Sequence, residues 1–244
     1  MLDLNVATLS AMVFIFIGSF VQSSIGFGLA IVAAPLLFQL SPDYVPAPIV
    51  IVALFISLLN TLKNRSNIEI GGLKSALIGR VPGSVIGGGI LTYISASTLS
   101  LWLGIAVLIS LVISLLPFRL EPTKNRMALA GFLSGFMGTT SSIGGPPMAL
   151  LLQHQDANAF RGNLSAFFLF SSMISLVVQF FVGFLTMKHI LLTLPLIPAA
   201  WLGYRCALLC VKYMSKQWIR WGALVLCLTS GIGAIYQSLS TATV

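Results

Sequence analysis

The sequence is poor in charged residues. Asp, Glu, Lys and Arg make up 7% of its 244 residues, whereas a soluble domain usually carries about 25%. Five stretches have no charged side chain: 4–42, 81–118, 127–155, 162–187 and 221–244. The chain is 57% hydrophobic, with a mean hydropathy of +1.02. It therefore lacks the polar residues that would cover a water-facing surface, which excludes a cytosolic enzyme, a nucleic-acid-binding protein and a secreted disulfide-rich domain.

Acidic residues are few, and none lies in the middle of an apolar stretch. The five are Asp3, Asp43, Glu69, Glu121 and Asp156. Proton-coupled pumps usually keep ionisable groups inside the membrane, and the sequence shows no such carboxylate relay. It also lacks the paired carboxylates or Ser/His/Asp set that would indicate an intramembrane enzyme, so we expect no catalytic activity.

Cysteine is also rare, and its positions indicate no metal or redox chemistry. Cys206, Cys210 and Cys227 all fall in late apolar segments, without a Cys-x-x-Cys pair or a Cys/His cluster. Free cysteines in such positions are commonly buried packing residues. We therefore expect no metal, haem or other cofactor.

Apolar segments of membrane-spanning length are abundant. A helix needs about 20 apolar residues to cross the core of a bilayer. Eight segments approach or exceed that length: 6–40, 45–62, 72–93, 99–117, 127–153, 162–186, 189–210 and 218–239. The net charge of +8 comes from thirteen Lys and Arg that lie mostly between these segments, which is typical of membrane topology rather than of nucleic-acid binding. We expect a multi-pass membrane protein. Residues 1–7 contain no Lys or Arg, so no signal peptide is expected.

The two halves of the chain share a pattern. Ser23-Ser24-Ile25-Gly26 recurs as Ser141-Ser142-Ile143-Gly144, nearly half the chain length later. Three further residues recur at similar offsets: Pro82, Gly87 and Gly104 correspond to Pro198, Gly203 and Gly222. Ordered matches at nearly one offset predict two repeats of four segments, residues 1–122 and 123–244, which together form one membrane domain.

The first and fifth segments fit poorly as single crossings, because each is long and is interrupted midway. If every segment crossed, the loop cations would divide seven against four between the two faces. If these two segments instead turn back at the Ser-Ser-Ile-Gly sites, ten cations share one face and only Lys188 faces the other, with Asp3 and Asp43. The ten are Lys63, Arg65, Lys74, Arg119, Lys124, Arg126, Arg161, Lys212, Lys216 and Arg220. Cytoplasmic faces are rich in Lys and Arg, so the second arrangement is favoured.

That arrangement defines the predicted fold. It is an all-α integral membrane protein made of two inverted repeats of four segments each, and the first segment of each repeat is a broken, re-entrant helical hairpin. The predicted hairpin arms are 8–22 and 29–40 in the first repeat, and 127–140 and 146–154 in the second. Each arm is shorter than a crossing. An odd number of crossings per repeat inverts the second half and places both termini outside the cytoplasm.

Each hairpin tip combines hydroxyl groups and glycines with the start of a new helix. Helix N-termini carry free N–H groups and a partial positive charge, and they bind anions. In inverted-repeat carriers such ends meet near the bilayer midplane. The predicted substrate-binding residues at the tips are Gln22, Ser23, Ser24, Gly26, Gly28, Thr139, Thr140, Ser141, Ser142, Gly144 and Gly145. The alternative is that these small residues only allow helices to pack closely.

Three polar residues within other segments are further candidates for the same site. Arg80 and Arg205 lie about two turns inside their segments. They either extend to the membrane interface or attract anions into a cytoplasmic vestibule. Asn163 either lines the cavity or forms hydrogen bonds between helices.

The tip motifs also resemble those of a known family. Residues 18–37, which include Ser24-Ile25-Gly26-Phe27-Gly28, resemble the first-half motif of the TauE/SafE sulfite exporter family. Residues 131–138 and 143–147 resemble its second-half motif, and residues 198–205 are similar to its seventh segment. The chain departs from the family pattern at Arg161-Gly162-Asn163, where a Gly-Thr-Ser-like run is common.

The resemblance implies an inner-membrane permease for small sulfur-containing anions such as sulfite, sulfoacetate or other organosulfonates. Its partners would be a small anionic substrate and the lipid bilayer, with no nucleic acid. The absence of buried acids favours passive or weakly coupled export, since an inside-negative potential of about 100 mV drives a monoanion outward by roughly 2.3 kcal/mol. Two alternatives are a proton-coupled carrier of other small organic anions and a membrane assembly factor that transports nothing.

Overall fold

The computed structural model describes residues 6–115 and 120–210, together with positions 222, 225, 228, 229 and 232. Within these residues the regular elements are helices and no strand occurs, so the all-α prediction is confirmed for this part of the chain. The α-helices are α1 (Val6–Ile25), α2 (Leu29–Leu40), α3 (Ala47–Lys63), α4 (Ile70–Leu91), α5 (Ala96–Leu115), α6 (Lys124–Ser141), α7 (Gly145–Leu152), α8 (Ala157–Phe181), α9 (Met187–Thr193) and α10 (Leu196–Cys210). Short 3-10 helices at Pro42–Tyr44 and Arg65–Asn67 precede and follow α3. The predicted eighth segment, 218–239, lies almost entirely outside the described residues.

Several helices have the length and composition of membrane spans. Three described stretches qualify, namely α1, residues 42–63 and α8, and the pair α9 and α10 makes a fourth if its 42° bend is counted within one span. Their outward faces carry large apolar side chains, and Phe181 is 81% exposed. Such faces are suited to lipid contact rather than to water. The described chain is therefore a multi-pass membrane protein.

The first hairpin turns at a glycine-rich tip. Gly26 and Gly28 have φ angles of 101° and 120°, values that glycine adopts readily because it has no Cβ. After the turn, α2 runs back along α1. A Cβ on Gly18 of α1 would lie 2.9 Å from the carbonyl oxygen of Leu29, at the start of α2. Two residues eleven positions apart meet this closely only where the chain doubles back.

The second hairpin has the same construction. Ser142, with a φ of 66°, ends α6, and α7 starts at Gly145 with prolines in its first turn. The Ser134 hydroxyl donates a hydrogen bond to the Gly144 carbonyl, which again joins the two arms side by side. Proline fits the first turn of a helix because the N–H groups there have no intrahelical partner. The predicted helix start near residue 146 thus agrees with the observed one within a residue.

Contacts between distant loops show that the fifth segment returns to the end of the bundle at which it begins. Lys188 Nζ and Asp43 Oδ2 are 2.5 Å apart, and the Glu69 amide donates a 2.8 Å hydrogen bond to the side chain of Asn163. If the fifth segment crossed straight through, residues 43 and 188 would lie at opposite ends, and so would residues 69 and 163. The hairpin arrangement places each pair at the same end.

The first arm of each hairpin is longer than predicted. Helix α1 has 20 residues and α6 has 18, so the prediction that every arm is too short to cross is wrong for α1. The tip hydroxyls stay within the helices because they bond to carbonyls one turn earlier. Ser24 Oγ donates to the Phe20 carbonyl and Ser141 Oγ to the Met137 carbonyl, both at 2.7 Å. A serine bonded in this way does not end a helix, and the break falls instead on the residues that follow.

The predicted seventh segment, 189–210, is broken rather than continuous. It divides into α9 and α10, which meet at an angle of 42°. Pro195 lies at the break itself, and Pro198 lies in the first turn of α10. Neither proline has an N–H to donate to the carbonyl four residues earlier, so hydrogen bonds that would join α9 to α10 are missing.

Glycines bring the two halves into backbone contact. Helix α4 packs mainly against α6, and α10 packs against α1. A Cβ on Gly83 would lie 2.1 Å from the carbonyl oxygen of Phe132, and one on Gly203 would lie 2.3 Å from that of Phe16. No side chain fits at those distances. Small residues permit this close approach between membrane helices, so these glycines fix the interface between the halves.

Candidate functional site

A cavity of about 50 Å³ lies where the two hairpin tips meet α4 and α8. Six of the predicted site residues line it: Gln22, Gly28, Arg80, Ser142, Gly144 and Gly145. Helix α8 contributes Phe168, Ser171, Ser172 and Ser175. The structure therefore brings both tips and one buried cation to a single space.

Among the described residues, Arg80 is the only charged side chain that lines this cavity. Arg80 lies on the inward face of α4. It is 3% exposed, whereas Ile78, two residues earlier, is 72% exposed. An arginine that extended to the membrane interface would keep its charged end in water. Arg80 instead faces the interior between the two halves.

Three hydrogen bonds hold the guanidinium of Arg80. Nη1 donates to Ser134 Oγ at 2.8 Å, Nη2 donates to Ser175 Oγ at 2.9 Å, and Nε donates to the Ser171 carbonyl at 3.3 Å. The ring of Phe167 lies 5.6 Å from Cζ, within the range of a cation–π contact. Arginine stays protonated in proteins, so these partners fix a full positive charge at the cavity wall.

No carboxylate in the described part of the chain pairs with Arg80. Its partners there are two hydroxyls, one carbonyl and a ring, all formally neutral. Burying a charge without a counter-ion costs several kcal/mol. A bound anion would supply the missing charge, and the guanidinium geometry suits planar and tetrahedral oxyanions that accept two hydrogen bonds.

Gly138 makes room for the guanidinium. A Cβ at this position would lie 2.8 Å from Nη2 and 3.3 Å from Nη1 of Arg80. Gly138 also lines the cavity. The absence of a side chain on this part of α6 therefore allows Arg80 to reach Ser134.

The Ser171 hydroxyl has no hydrogen-bond partner in the described structure, although the residue is only 2% exposed. It lines the cavity beside Arg80. A buried hydroxyl without a partner is costly, and an unsatisfied group in a native fold calls for an explanation. A ligand or water in the cavity would satisfy it.

The first tip presents the N-terminus of α2 to the cavity. Gly28 precedes the helix and provides no side-chain cap, and Ala30 and Ile31 of the first turn line the space. The first N–H groups of a helix have no intrahelical acceptor, so this end can donate to an anion. Gln22 stands at the same wall, with Nε2 bonded to Ser57 Oγ at 3.3 Å.

The second tip is a weaker donor than the sequence suggests. Pro146 and Pro147 occupy the first turn of α7, and proline has no N–H. Of the first four residues of α7, only Gly145 and Met148 can donate. Ser142 is held in its left-handed conformation by a 3.0 Å hydrogen bond from its hydroxyl to the carbonyl of Pro46. Arg80, rather than α7, is therefore the stronger anion-binding feature on this side.

The remaining predicted tip residues lie behind the cavity wall. Ser24, Thr140 and Ser141 bond to carbonyls of their own helices. The other three support the fold: Ser23 accepts from Asn60, Thr139 bonds to Ser175 at 2.9 Å, and Gly26 forms the turn against α8. These residues therefore stabilise the hairpins, and Thr139 also contacts Ser175, which accepts a hydrogen bond from Arg80.

Asn163 and Arg205 lie away from the cavity. Asn163 accepts from the Glu69 amide and donates to Gln155 Oε1 at 2.9 Å, so it joins loops at one end of the bundle. Arg205 is exposed, and its guanidinium lies 5.6 Å from the ring of Trp201. This is the arrangement expected of an arginine that extends to the interface.

Sequence reasoning missed the residues that position Arg80. Ser171 and Ser175 are four residues apart on α8 and therefore share one face of the helix. Two serines at that spacing in an otherwise apolar span are a signal that could have been used. Ser134 and Gly138 have the same spacing on α6, within residues 131–138.

Comparison with known proteins gives one match. A family model described as "Sulfite exporter TauE/SafE" matches residues 11–234, which is most of the chain. No curated protein and no solved structure matches.

Proposed function

Because the chain belongs to the TauE/SafE sulfite exporter family, we propose that it carries small sulfur oxyanions out of the cell through the cavity at Arg80. The resemblance of the tip motifs to that family is confirmed by the match. Membership makes the protein a transporter of a small anion. We propose sulfite as the substrate and the cavity as the place where it binds.

The proposal rests on the buried guanidinium of Arg80, which has no counter-ion among the described residues. The cavity wall offers a fixed cation, the unpartnered Ser171 hydroxyl and the free N–H groups at the start of α2. All of these stabilise negative charge, and none of the described residues that line the space is acidic. A ligand that accepts several hydrogen bonds and carries negative charge is the best chemical fit.

The size of the cavity favours a very small anion. A cavity needs about 10–15 Å³ to hold one water molecule, so a cavity of about 50 Å³ has room for roughly four water molecules. Sulfite has four non-hydrogen atoms and fills a space of that order. The sulfonate group of sulfoacetate or another organosulfonate presents the same three oxygens, but its tail needs room beyond the cavity.

Export follows from the charge of the bound species. A monoanion such as bisulfite, or an organic sulfonate, is driven outward by roughly 2.3 kcal/mol per 100 mV of inside-negative potential. We place the protein in the bacterial inner membrane with both termini outside the cytoplasm. This orientation follows from the ten-against-one distribution of loop cations, since cytoplasmic loops are rich in Lys and Arg.

The packing of the halves supports an inverted repeat. The third segment of the first half, α4, lies against the first hairpin arm of the second half, α6, and α10 lies against α1 in the same way. Such a reciprocal exchange is expected when two similar units are related by a two-fold axis. The hairpin tips then lie at the interface of the repeats, where carriers of this type bind their substrates.

Flux measurements in reconstituted vesicles test the proposal. Purified protein in liposomes loaded with sulfite should release it faster when a potential negative inside is imposed. Arg80→Gln should reduce this flux at least tenfold, because loss of a charged hydrogen-bonding partner costs about 1.5–3 kcal/mol. Arg80→Lys keeps the charge without the fork of donors, so partial activity is expected.

Arg126→Gln is the matched control, because it removes an exposed cation whose one hydrogen bond within the described structure is to the Glu121 carbonyl. It should leave flux unchanged. Folded wild-type protein that releases neither sulfite nor any sulfonate under a potential would contradict the proposal. Flux set by the external pH at a fixed potential would instead identify a proton-coupled carrier.

A further inference from the structure

A second arginine lies beside the first hairpin tip, and no described residue pairs with its charge. Arg161 is in the second turn of α8 and is partly buried. Its carbonyl accepts a hydrogen bond from Ser165 Oγ. Its guanidinium, however, makes no hydrogen bond or ion pair with the residues that the structure describes. Arg161 therefore resembles Arg80 in lacking a counter-ion, but it lies closer to solvent.

The aliphatic part of Arg161 lies against the tip. A Cβ on Gly26 would be 3.6 Å from Cγ of Arg161 and 3.4 Å from the ring of Phe160. Gly26 forms the turn between α1 and α2 with a φ of 101°. The hairpin that supplies one wall of the cavity is thus directly covered by the residues around Arg161.

Phe27 contacts both Phe160, the neighbour of Arg161, and the wall of the cavity. Its ring meets the ring of Phe160 edge-on, with centroids 6.5 Å apart. On the other side, its Cβ lies 3.7 Å from where a Cβ of Gly145 would be, and Gly145 lines the cavity. A chain of contacts therefore connects Arg161 and Gly26, through Phe160 and Phe27, to Gly145 in the cavity wall.

This end of the bundle is the positively charged one. Gly162, next to Arg161, is in contact with the Asn67 carbonyl, so α8 begins beside the loop that carries Lys63 and Arg65. Basic clefts with apolar walls concentrate anions and raise association rates. An anion that approaches from the predicted cytoplasmic side would meet Arg161 before it meets Phe27.

We propose that Arg161 forms a second binding site for small oxyanions, at the cytoplasmic mouth, from which the ligand passes Phe27 to reach Arg80. This inference rests on the proposed function, because it assigns a step to the same transported anion. The mouth site captures the anion while it is still hydrated on one side. The buried site then binds it after most of its water is removed.

The inference predicts a one-sided change in affinity. Arg161→Gln should raise the half-saturating sulfite concentration by about tenfold when sulfite is supplied from the cytoplasmic side, with little change in maximal rate. The half-saturating concentration from the outer side should not change. Arg161→Lys should keep most of the wild-type affinity, since a point charge is sufficient for capture. The dependence of cytoplasmic uptake on ionic strength should also become weaker in Arg161→Gln.

The measurement uses vesicles of known orientation, with sulfite supplied on one side at a time. Arg126→Gln is again the control, because it removes one cation from the same predicted face. Arg161→Met keeps an apolar stem against Gly26 and gives the same test if the Gln variant does not accumulate.

Unchanged cytoplasmic affinity for sulfite in the neutral variants, or an equal loss of affinity from both sides, would overturn the inference. If Arg80→Gln blocks flux while Arg161→Gln behaves as wild type, the mouth site is contradicted and the proposed function at Arg80 is not. If the wild type carries no sulfite, the proposed function fails first.

Discussion

Ser175 Oγ accepts a 2.9 Å hydrogen bond from Nη2 of Arg80, across 95 positions of the chain. The same hydroxyl lies 2.9 Å from Oγ1 of Thr139, so one serine joins α4, α6 and α8. The cation of the first half is therefore oriented by side chains of the second half. A movement of one half relative to the other would change the position of the charge that the anion meets.

Replacing Ser175 should weaken anion binding without unfolding the protein. Ser175→Ala removes one of the three hydrogen bonds to Arg80, and hydrogen bonds to charged groups contribute about 1.5–3 kcal/mol. We expect the half-saturating sulfite concentration to rise by about tenfold or more. Ser175→Thr keeps the hydroxyl and should retain most of the activity. Equal activity in the alanine and threonine variants would show that Ser175 does not position Arg80.

Ser171 should contribute to ligand affinity but not to stability. Its hydroxyl has no partner in the described structure, so Ser171→Ala should leave thermal stability in detergent unchanged or slightly raised. The half-saturating sulfite concentration should rise severalfold, because a neutral hydrogen bond contributes about 0.5–1.5 kcal/mol. The matched control is Ser84→Ala, whose hydroxyl is also buried and unpartnered but does not line the cavity. The same loss of affinity in both variants would argue against a ligand at Ser171.

The positions of the two hairpins could be predicted from sequence because they depend on local chemistry. Gly26 and Gly28 permit the turn at the first tip, and the prolines after Gly145 favour a helix start at the second. Loop charge then distinguished hairpins from crossings, and the contact between Asp43 and Lys188 agrees with that choice.

The side chains that form the site were harder to predict. Polar residues at the tips look like ligand groups in the sequence, yet Ser24 and Ser141 use their hydroxyls within their own helices. The partners of Arg80 lie more than fifty positions away. Their identity depends on how α4, α6 and α8 pack, which a single sequence with no alignment does not specify. Arg80 and Arg205 also looked equivalent, and only the fold separates the buried one from the exposed one.

Gly138→Ala should impair the site while the fold remains intact. The new Cβ would lie 2.8 Å from Nη2 of Arg80, and the end of a flexible side chain can move to relieve such a contact. The guanidinium would then leave its position near Ser134, and sulfite flux should fall severalfold at subsaturating concentration. Gly89→Ala is the control, because a Cβ there meets nothing within 4 Å. Wild-type flux in Gly138→Ala would mean that the exact placement of Arg80 is unimportant.

Gly83→Ala should act on the fold instead of the site. Its Cβ would lie 2.1 Å from the carbonyl oxygen of Phe132, and a backbone oxygen cannot move without separating α4 from α6. Overpacking of this kind costs about 1–3 kcal/mol and sometimes more. We expect a lower melting temperature and loss of the monodisperse peak in detergent chromatography, with Gly89→Ala again unaffected. A stable Gly83→Ala variant would contradict the close backbone contact between these helices.

Cysteine labelling tests the topology on which the export direction depends. In a variant without native cysteines, Asp43→Cys and Asp156→Cys should react with a membrane-impermeant maleimide from opposite sides of the membrane. The hairpin arrangement places residue 43 outside and residue 156 in the cytoplasm. Removing Asp43 breaks its ion pair with Lys188, but exposed pairs contribute only about 0–1 kcal/mol, so the protein should remain folded.

Lys188→Cys provides the internal control, since its side chain touches Asp43 and must be labelled from the same side as residue 43. Labelling of residues 43 and 156 from one side would mean that the second hairpin, α6 and α7, does not return to the side of the membrane from which it enters. The N-terminus of α2 and the start of α7 would then not meet at Arg80 from opposite faces. The charge of Arg80 would have no enclosed space in which to bind an anion, and the proposed path from Arg161 inward would be lost with it.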